Sequence, residues 1–425
     1  MIALVVCLNP FSISQMSAAG IFGGYFGHET FGYQQLWLFS MFLSTWLIGS
    51  ILSTIVKKQS WSEMFQSSAL YNGFSFVMAF GGMLAANPIH AGRLQWLRLV
   101  LPLLVLYLLG RTFWLAVIKR EQLASWKRNL ATLFFVSIAL LLVLEGVFMF
   151  VARSHQFDGT LASKVWFARH WELNSQGSRD VEMEAPKPGQ KKLFLMGDSF
   201  VAGHGIKDTE KRFGNLIQAE FEDDFKIYNL GTNGFGTRDE LLKLQLSPIK
   251  PDHVILFWYL NDIEECAWKN NEYQALSNHR YSLLDGSYLF NYIWWSYPHP
   301  TEGDNYLQFL EKAFANENVI SCHIEELNAF TDYCKANKIE FTLAAFPFMQ
   351  EPKQKPFAQA LLQRFLALQA AKNNFVTYLD LSYVFANIQP DTKLVVNDFD
   401  SHPNELANQF VADQLEKYLH SLVRK

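Results

Sequence analysis

Residues Lys191–Ile206 read KKLFLMGDSFVAGHGI. The apolar run Leu193–Met196 has the length of a short buried strand, and it stops at Gly197. An acid and a hydroxyl follow directly, Asp198 and Ser199. The pattern predicts a strand that ends in a tight turn, with Ser199 held just beyond its carboxyl end. The alternative is an ordinary polar turn, in which both side chains only satisfy backbone groups.

The rest of the chain after Lys191 alternates short apolar runs with longer amphipathic segments. The runs that predict strands are Leu193–Met196, Lys226–Leu230, His253–Tyr259, Glu340–Phe346 and Phe375–Leu381. The segments that predict helices are Gly214–Glu222, Arg238–Gln245, Val319–Lys335, Pro356–Lys372 and Glu405–Leu422. Such alternation predicts a three-layer α/β domain, with a parallel sheet covered by helices on both faces. Working residues in such sheets lie beyond the carboxyl ends of the strands.

Polar or glycine-rich segments follow the other predicted strands. They are Asn229–Gly236 (NLGTNGFG), Leu260–Asp262 (LND) and, near the C-terminus, Asp398–Asn404 (DFDSHPN). With the Gly-Asp-Ser block, these four segments in this order resemble the SGNH (GDSL-type) hydrolase superfamily, over about Lys191–Lys425. The resemblance implies the flavodoxin-like parallel sheet of that superfamily. Asn174–Arg179 (NSQGSR) is similar to a lead-in found before the nucleophile block in extracytoplasmic members.

The resemblance also implies a catalytic apparatus. Ser199 corresponds to the nucleophile and His402 to the base that takes its proton, which a serine hydroxyl needs before it can attack. The donors to the oxyanion are the backbone N–H groups of Ser199 and Gly234 and the side-chain amide of Asn261. An asparagine amide suits this role because it donates hydrogen bonds without titrating.

Two positions depart from the common pattern of the superfamily. The usual Asp-x-x-His spacing would place the triad acid at position 399, which is Phe399. Asp400 and Asp398 stand beside it, and we prefer Asp400 as the group that orients the histidine, with Asp398 as the alternative. Tyr259 occupies the position of the usual glycine in the third block, which predicts a narrower site there.

The first part of the chain has a different composition. The protein is 50% hydrophobic and only 18% charged, and most of the charge deficit falls before residue 152. A membrane helix needs about 20 mainly apolar residues. Four segments meet that length, and Met1–Gly24 is either a fifth span or a re-entrant hairpin. The four are Tyr33–Val56, Gln66–Ala86, Leu97–Ile118 and Leu130–Val151. The sequence thus predicts an α-helical transmembrane region at 1–152, a connector at 153–190 and the hydrolase-like domain at 191–425.

Basic residues predict the orientation of these spans. Lys57 and Lys58 follow the first clear span, and a second basic cluster, Lys119–Arg128, lies between the last two. The loop between those clusters carries only Arg93. Both clusters are therefore expected in the cytoplasm, and the C-terminal domain outside it, in the periplasm of a bacterium with the spans in the inner membrane. Within the spans, snorkelling accounts for Arg111 and also offers an explanation for Glu145.

Aromatic residues crowd the segment Trp268–Tyr297, between the third and fourth predicted strands. One reading is an aromatic wall for a sugar or an acyl chain. We favour two plainer readings, the core of a covering subdomain or a belt at the membrane surface.

The cysteines and the net charge exclude several other classes of protein. Four cysteines, Cys7, Cys266, Cys322 and Cys334, show no metal-binding spacing. Cys322 and Cys334 on one helix would lie roughly 18 Å apart, too far to bridge. Cys266 could pair with either of them outside the cytoplasm, but we favour free thiols. There is no phosphate loop, and a net charge of −4 argues against a nucleic-acid role. We expect neither a metal nor a cofactor.

The sequence therefore predicts a membrane-anchored, extracytoplasmic serine esterase or O-acyltransferase that works through an acyl-Ser199 intermediate. Its expected partners are the lipid bilayer and an ester substrate, either an acylated carbohydrate of the envelope or another ester. Acetyl is the acyl group that we favour. The alternative is a non-catalytic, membrane-linked glycan-binding or scaffold protein whose site has drifted, supported by Tyr259 and the shifted acid.

Overall fold

The computed structural model covers most of the chain beyond residue 67. It describes residues 60, 63, 68–86, 97–120, 124–156, 160–272, 283–297, 300–349, 358–372, 375–385, 388–389 and 391–423. The chain forms two compact units, which interleave along the sequence. The helical unit comprises Met1–Arg153, Phe157–Arg169 and His279–Tyr297, and the sheet unit comprises Ser154–Gln156, His170–Asn278 and Pro298–Lys425.

The helices are numbered here in chain order, and short 3₁₀ turns are given by their residues. The helices are α1 (Ala69–Ala86), α2 (Leu97–Phe113, continued by the π-helical Trp114–Ile118), α3 (Ser125–Phe148), α4 (Leu161–His170), α5 (Ser199–Ala202), α6 (Phe213–Glu220), α7 (Thr237–Leu246), α8 (Glu264–Lys269), α9 (Tyr288–Trp294), α10 (Pro300–Ala315), α11 (Glu317–Ala336), α12 (Gln359–Ala371), α13 (Ser382–Phe385) and α14 (Glu405–Val423). The 3₁₀ turns are Thr209–Lys211, Leu260–Ile263 and Leu283–Gly286.

The sheet unit is built on a five-stranded parallel sheet. Its strands are β1 (Lys191–Gly197), β2 (Phe225–Asn229), β3 (His253–Trp258), β4 (Glu340–Ala345) and β5 (Val376–Asp380). Their order across the sheet is β2-β1-β3-β4-β5, and each neighbouring pair is parallel. This confirms the predicted parallel α/β fold. The order reverses between β1 and β3, which opens a crevice at the carboxyl ends of those two strands.

Helices cover both faces of this sheet because the strands are apolar on both sides. Along β1, Leu193 and Leu195 point to the face that packs against α6 and α14, whereas Phe194 and Met196 point to the face covered by α10, α11 and α12. All four side chains are fully buried. A separate antiparallel hairpin, β6 (Val395–Asn397) and β7 (Asp400–Pro403), precedes α14.

The helical unit contains the apolar helices. Among the described residues, α3 alone is long and apolar enough to cross a membrane, and it begins five residues before the predicted span Leu130–Val151. α1 and α2 correspond to the predicted spans Gln66–Ala86 and Leu97–Ile118, but the apolar part of α2 is shorter than a full span. The predicted spans Met1–Gly24 and Tyr33–Val56 lie outside the described residues. A region of four or five spans therefore remains a prediction.

Glu145 is buried within the helical unit although it belongs to the apolar helix α3. Its carboxylate accepts hydrogen bonds from the Ser287 hydroxyl at 2.6 Å and from the backbone N–H groups of Tyr288 at 2.8 Å and Leu289 at 3.0 Å. These groups lie at the first turn of α9, where backbone donors have no partner inside the helix. Glu145 thus caps α9 from another helix, and snorkelling is not needed to explain it.

The aromatic segment is divided between the two units. Its second half, 283–297, packs within the helical unit, where the Arg153 guanidinium lies 4.1 Å from the centre of the Tyr292 ring and donates to Ser296 Oγ at 2.9 Å. Phe148, at the end of α3, contacts the same tyrosine ring with 4.9 Å between centroids. The first half, which includes Trp268 on α8, belongs to the sheet unit.

A disulfide joins Cys266 on α8 to Cys322 on α11, with 5.8 Å between their Cα atoms. Cys334 is free and buried. The preference for free thiols in the sequence analysis is therefore wrong for Cys266 and Cys322, because their pairing depends on the packing of α8 against α11. The segment between the two cysteines contains His279–Tyr297, which belongs to the helical unit, whereas both cysteines belong to the sheet unit.

This disulfide should contribute to stability by limiting the unfolded chain. For a sequence separation of 56 residues the expected contribution is about 2–4 kcal/mol. Cys322→Ala is therefore expected to lower the Tm of the sheet unit's unfolding transition by roughly 5–15 °C, and dithiothreitol should have no further effect on it. Calorimetry of the full chain in detergent measures both. Cys334→Ala is the control and should keep the sensitivity to dithiothreitol; equal sensitivity of Cys322→Ala would contradict the pairing.

Candidate active site

The turn after β1 presents Ser199. Gly197 has a φ of 158°, and a Cβ there would lie 2.4 Å from Val201 and 3.0 Å from the carbonyl oxygen of Phe257, so only glycine fits. The Asp198 carboxylate accepts from the backbone N–H of Phe200 at 2.9 Å and thereby caps the short helix α5. Ser199 is the first residue of that helix and is held at the carboxyl end of the strand, as the sequence predicted.

Ser199, His402 and Asp400 form a continuous hydrogen-bonded relay. Ser199 Oγ lies 2.8 Å from His402 Nε2, and His402 Nδ1 lies 2.5 Å from Asp400 Oδ1. Burial acts to raise the pKa of Asp400, but the neighbouring His402 and His204 and the Ser154 hydroxyl outweigh it and hold that pKa well below its ordinary value. Asp400 is therefore ionised, which suits it to stabilise an imidazolium at His402.

Strand geometry explains why the acid is two residues before the histidine. Asp400 and His402 are alternate residues of β7, and alternate residues of a strand point to the same face. Asp398 lies outside the strand, is 74% exposed at its side chain and pairs with Lys393 at 2.9 Å. Of the two candidate acids, the structure brings Asp400 to His402 and leaves Asp398 at the surface.

Two of the three candidate oxyanion donors, Gly234 and Asn261, lie on the loops after β2 and β3, and the third is the backbone N–H of Ser199. Gly234 adopts a left-handed φ of 73°, and the space where its Cβ would stand is open. Asn261 is in the 3₁₀ turn Leu260–Ile263, and its amide donates to Asp198 Oδ2 at 2.8 Å, an oxygen that also lies 3.3 Å from Ser199 Oγ. One of the two N–H bonds of this amide is thus committed to Asp198, which leaves the second for an oxyanion.

His204, in the loop that follows α5, is also part of the site. Its ring stacks on the ring of His402, with 4.0 Å between centroids and 5° between planes. Nε2 donates to the carbonyl oxygen of His155 at 3.2 Å, and Nδ1 accepts from Asn233 at 3.1 Å, so these partners select one neutral tautomer. Burial lowers the pKa of His204 to about 3, which keeps the ring uncharged beside His402.

The lead-in Asn174–Arg179 holds the loop that carries His204. The buried guanidinium of Arg179 donates to the carbonyl oxygens of Gly203 at 2.6 Å and Ile206 at 2.7 Å. It also lies 4.7 Å from the centre of the Trp171 ring. The sequence flagged this segment by resemblance, but its contact with the nucleophile loop is set by long-range packing.

Tyr259 fills the position where the superfamily usually has glycine. Its ring packs on Phe200 with 4.2 Å between centroids, and Phe200 in turn lies 5.4 Å from the His402 ring. Burial raises the pKa of Tyr259 above its ordinary value, so the phenol is neutral. The substitution adds an aromatic wall beside the nucleophile and leaves the relay intact.

Three of these side chains also have the composition of a metal site. His204, Asp400 and His402 each offer a ligand atom, and the three atoms lie within 4.8 Å of one another. Their proximity follows from hydrogen bonding, since Nδ1 of His402 is bonded to Asp400 and Nε2 of His204 to a backbone carbonyl. The arrangement is suited to moving a proton from a serine hydroxyl.

Comparison with known protein families identifies the class. The model of the GDSL-like Lipase/Acylhydrolase family matches residues 195–410, just over half of the chain. The chain belongs to this family, and its sheet unit is a serine hydrolase of the esterase type. The comparison with curated proteins gave no match.

The solved structures to which this chain is similar include the following three. The psychrotrophic esterase EstA from Pseudoalteromonas sp. is 15% identical, with a TM-score of 0.35 over 56% of this chain and 100% of that one. A lipolytic G-D-S-L family protein from Veillonella parvula is 12% identical, with a TM-score of 0.34 over 53% of this chain and 96% of that one. The acetylxylan esterase Axe2 from Geobacillus stearothermophilus is 15% identical, with a TM-score of 0.34 over 55% of this chain and 95% of that one.

The two candidate acids can be separated by one pair of substitutions. Asp400→Asn should lower kcat for 4-nitrophenyl acetate by about two to four orders of magnitude, because the amide cannot stabilise the imidazolium. Asp398→Asn is the matched control and should stay within about twofold of the parent, since it removes only an exposed ion pair. The reverse ranking would transfer the role to Asp398, and small equal losses would indicate a Ser–His dyad.

Proposed function

We propose that this protein is a membrane-anchored, extracytoplasmic serine O-acyl hydrolase or transferase, and that its substrate is an acylated carbohydrate of the envelope. The observation that carries the proposal is the unbroken relay from Ser199 Oγ through His402 to Asp400 at the switch point of the sheet. A relay with these distances is prepared for nucleophilic attack, which distinguishes it from a scaffold whose site has drifted.

In the proposed mechanism Ser199 Oγ attacks the acyl carbonyl carbon while His402 Nε2 takes its proton. The backbone N–H groups of Ser199 and Gly234 and the free N–H of Asn261 stabilise the oxyanion. The intermediate collapses, and the sugar oxygen leaves with the proton from His402, which gives an acyl-Ser199 ester. His402 then deprotonates the acceptor. Water as acceptor gives a carboxylic acid and makes the protein an esterase; a sugar hydroxyl gives a new ester and makes it a transferase.

Helix α3 supports membrane anchoring. Only 11% of its most apolar stretch is buried inside the protein. Large aliphatic and aromatic side chains are exposed along its length, including Leu130, Leu133, Phe134, Val136, Leu140, Leu141, Val143 and Val147. A continuous apolar surface of this kind is costly in water and is accounted for by contact with lipid.

Two features support a location of the sheet unit outside the cytoplasm. The basic residues Lys119–Arg128 lie in and before the first turn of α3, which favours a cytoplasmic start for that helix. The Cys266–Cys322 disulfide is a bond that persists in oxidising compartments such as the periplasm. A sheet unit in that location would face the carbohydrates of the envelope, which are the substrates that we propose.

The aromatic wall beside the nucleophile favours a small acyl group. Phe200 and Tyr259 pack with their rings tilted by 32° next to His402, and Phe346 contacts Phe200 at 5.1 Å between centroids. These side chains take up room that a long acyl chain would need. An acetyl group is the acyl group that we propose.

Labelling with a fluorophosphonate tests the nucleophile. The parent protein should be labelled on Ser199, and Ser199→Ala should lose both labelling and the hydrolysis of 4-nitrophenyl acetate, with a loss of several orders of magnitude. Ser247→Ala replaces a serine at the end of α7 and should label like the parent. Modification mapped to another serine, or unchanged turnover by Ser199→Ala, would sink the proposal.

Reporter fusions test the orientation. An alkaline phosphatase fused after Lys425 should be active, because that enzyme folds only outside the cytoplasm, whereas a fusion near Trp126 should be silent. A green fluorescent protein fused at the same two positions should give the opposite pattern. An active fusion at Trp126 with a silent one at Lys425 would place the sheet unit in the cytoplasm and remove envelope carbohydrates as substrates.

A further inference from the structure

The sheet unit includes three residues, Ser154–Gln156, that are separated from the rest of its sequence by Phe157–Arg169 of the helical unit. We call these three residues the strap. The strap lies along the β6–β7 hairpin. The backbone N–H of Gln156 donates to the carbonyl oxygen of Phe399 at 2.9 Å, and the Asn397 amide donates to the carbonyl oxygen of Ser154 at 3.0 Å.

Side chains of the strap contact the same hairpin. Gln156 Oε1 accepts from the Ser401 hydroxyl at 3.0 Å, and the ring of His155 stacks on Phe399 at 10° between planes. The strap is therefore bonded to Asn397 and Phe399, just before β7, and to Ser401 within β7, the strand that supplies the acid and the base. Its register relative to Asp400 is fixed by bonds to the residues on either side of that aspartate.

Ser154 reaches the triad acid directly. Its hydroxyl donates to Asp400 Oδ2, the carboxylate oxygen that His402 does not use. Ser154 is 3% exposed and Asp400 is 1% exposed, so bulk water does not reach this oxygen. Ser154 thus holds Oδ2 while His402 holds Oδ1 through Nδ1 and its backbone N–H, which fixes the plane of the carboxylate and the direction in which it holds the imidazole.

The next strap residue acts on the other side of the base. The carbonyl oxygen of His155 accepts from His204 Nε2 at 3.2 Å, and His204 stacks on His402. This bond keeps the proton of His204 on Nε2, which is compatible with the bond from Asn233 to Nδ1. The strap thus positions His402 twice, once through its acid partner and once through its stacking partner.

We propose that Ser154 is a positioning residue for the Ser199–His402–Asp400 relay, and that the strap completes an active site which the hydrolase domain proper leaves unfinished. This inference rests on the proposed function. The family match covers residues 195–410 and does not include the strap, so the family assignment alone gives Ser154 no role.

The first test compares Ser154→Ala with the parent, as full chains in detergent, with 4-nitrophenyl acetate as the substrate. We expect kcat to fall by about 10-fold with KM within about twofold, because Oδ2 of the acid loses its donor while Ser199 and the oxyanion donors are unchanged. The acid limb of kcat/KM should move to higher pH. With one donor fewer, the charge on Asp400 is less dispersed and attracts the proton on His402 more strongly.

Ser154→Thr and Ser154→Val isolate the hydroxyl, since the two side chains have nearly the same volume. The Thr variant should have the parental kcat and pH profile, whereas the Val variant should behave like Ser154→Ala. This difference is expected even if both variants lower the Tm. Ser163→Ala is the matched control: Ser163 is also fully buried, but its hydroxyl has no partner among the described residues, and its removal should change neither quantity.

Equal kcat and equal pH profiles for the Thr and Val variants would overturn the proposal, as would an unshifted acid limb in Ser154→Ala. These outcomes differ from a failure of the proposed function. In that case the parent itself would show no fluorophosphonate labelling at Ser199, whereas here the parent labels and only the strap variants are at issue.

Discussion

A buried carboxylate has to be surrounded by hydrogen-bond donors, and the active site is organised around meeting that requirement for Asp400. The side chain is removed from water, which by itself would favour its neutral form. His402 takes one oxygen and Ser154 the other, while the backbone N–H of His402 adds a third bond at 3.2 Å. The donors come from parts of the sequence nearly 250 residues apart, so the buried carboxylate has all of its donors only when the unit is fully assembled.

The same requirement explains the neutrality of His204. A second charged imidazole stacked at 4.0 Å would repel an imidazolium at His402. Burial and the fixed partners on both of its nitrogens keep His204 uncharged across the range in which a serine hydrolase works. The base therefore has an aromatic platform on one face without a competing titration.

Glu145 shows how a buried acid is accommodated in the helical unit. Its carboxylate accepts three hydrogen bonds at the start of α9, from the Ser287 hydroxyl and from the backbone N–H groups of Tyr288 and Leu289. These bonds join α3 to a segment that lies between β3 and β4 in the sequence. Charge in an apolar helix is expensive and calls for a specific partner. Here the partner is a helix N-terminus within the same unit, and the aromatic residues of 283–297 are positioned by that contact.

The sequence by itself determined the parallel α/β sheet, the positions of its five strands, and the identity of the serine and histidine at the site. These were predictable because strand periodicity is local and because the polar blocks directly follow the strands whose carboxyl ends meet at one edge. The preference for Asp400 over Asp398 agrees with the structure, but its geometric reason, an Asp-x-His pair that points to one face of β7, comes from the structure, because β7 is not among the predicted strands. Tertiary structure alone decided the roles of Ser154, His155, His204 and Glu145, and the pairing of Cys266 with Cys322. Each depends on a contact across a long stretch of chain, and local sequence carries no information about the partner that packing will bring to it.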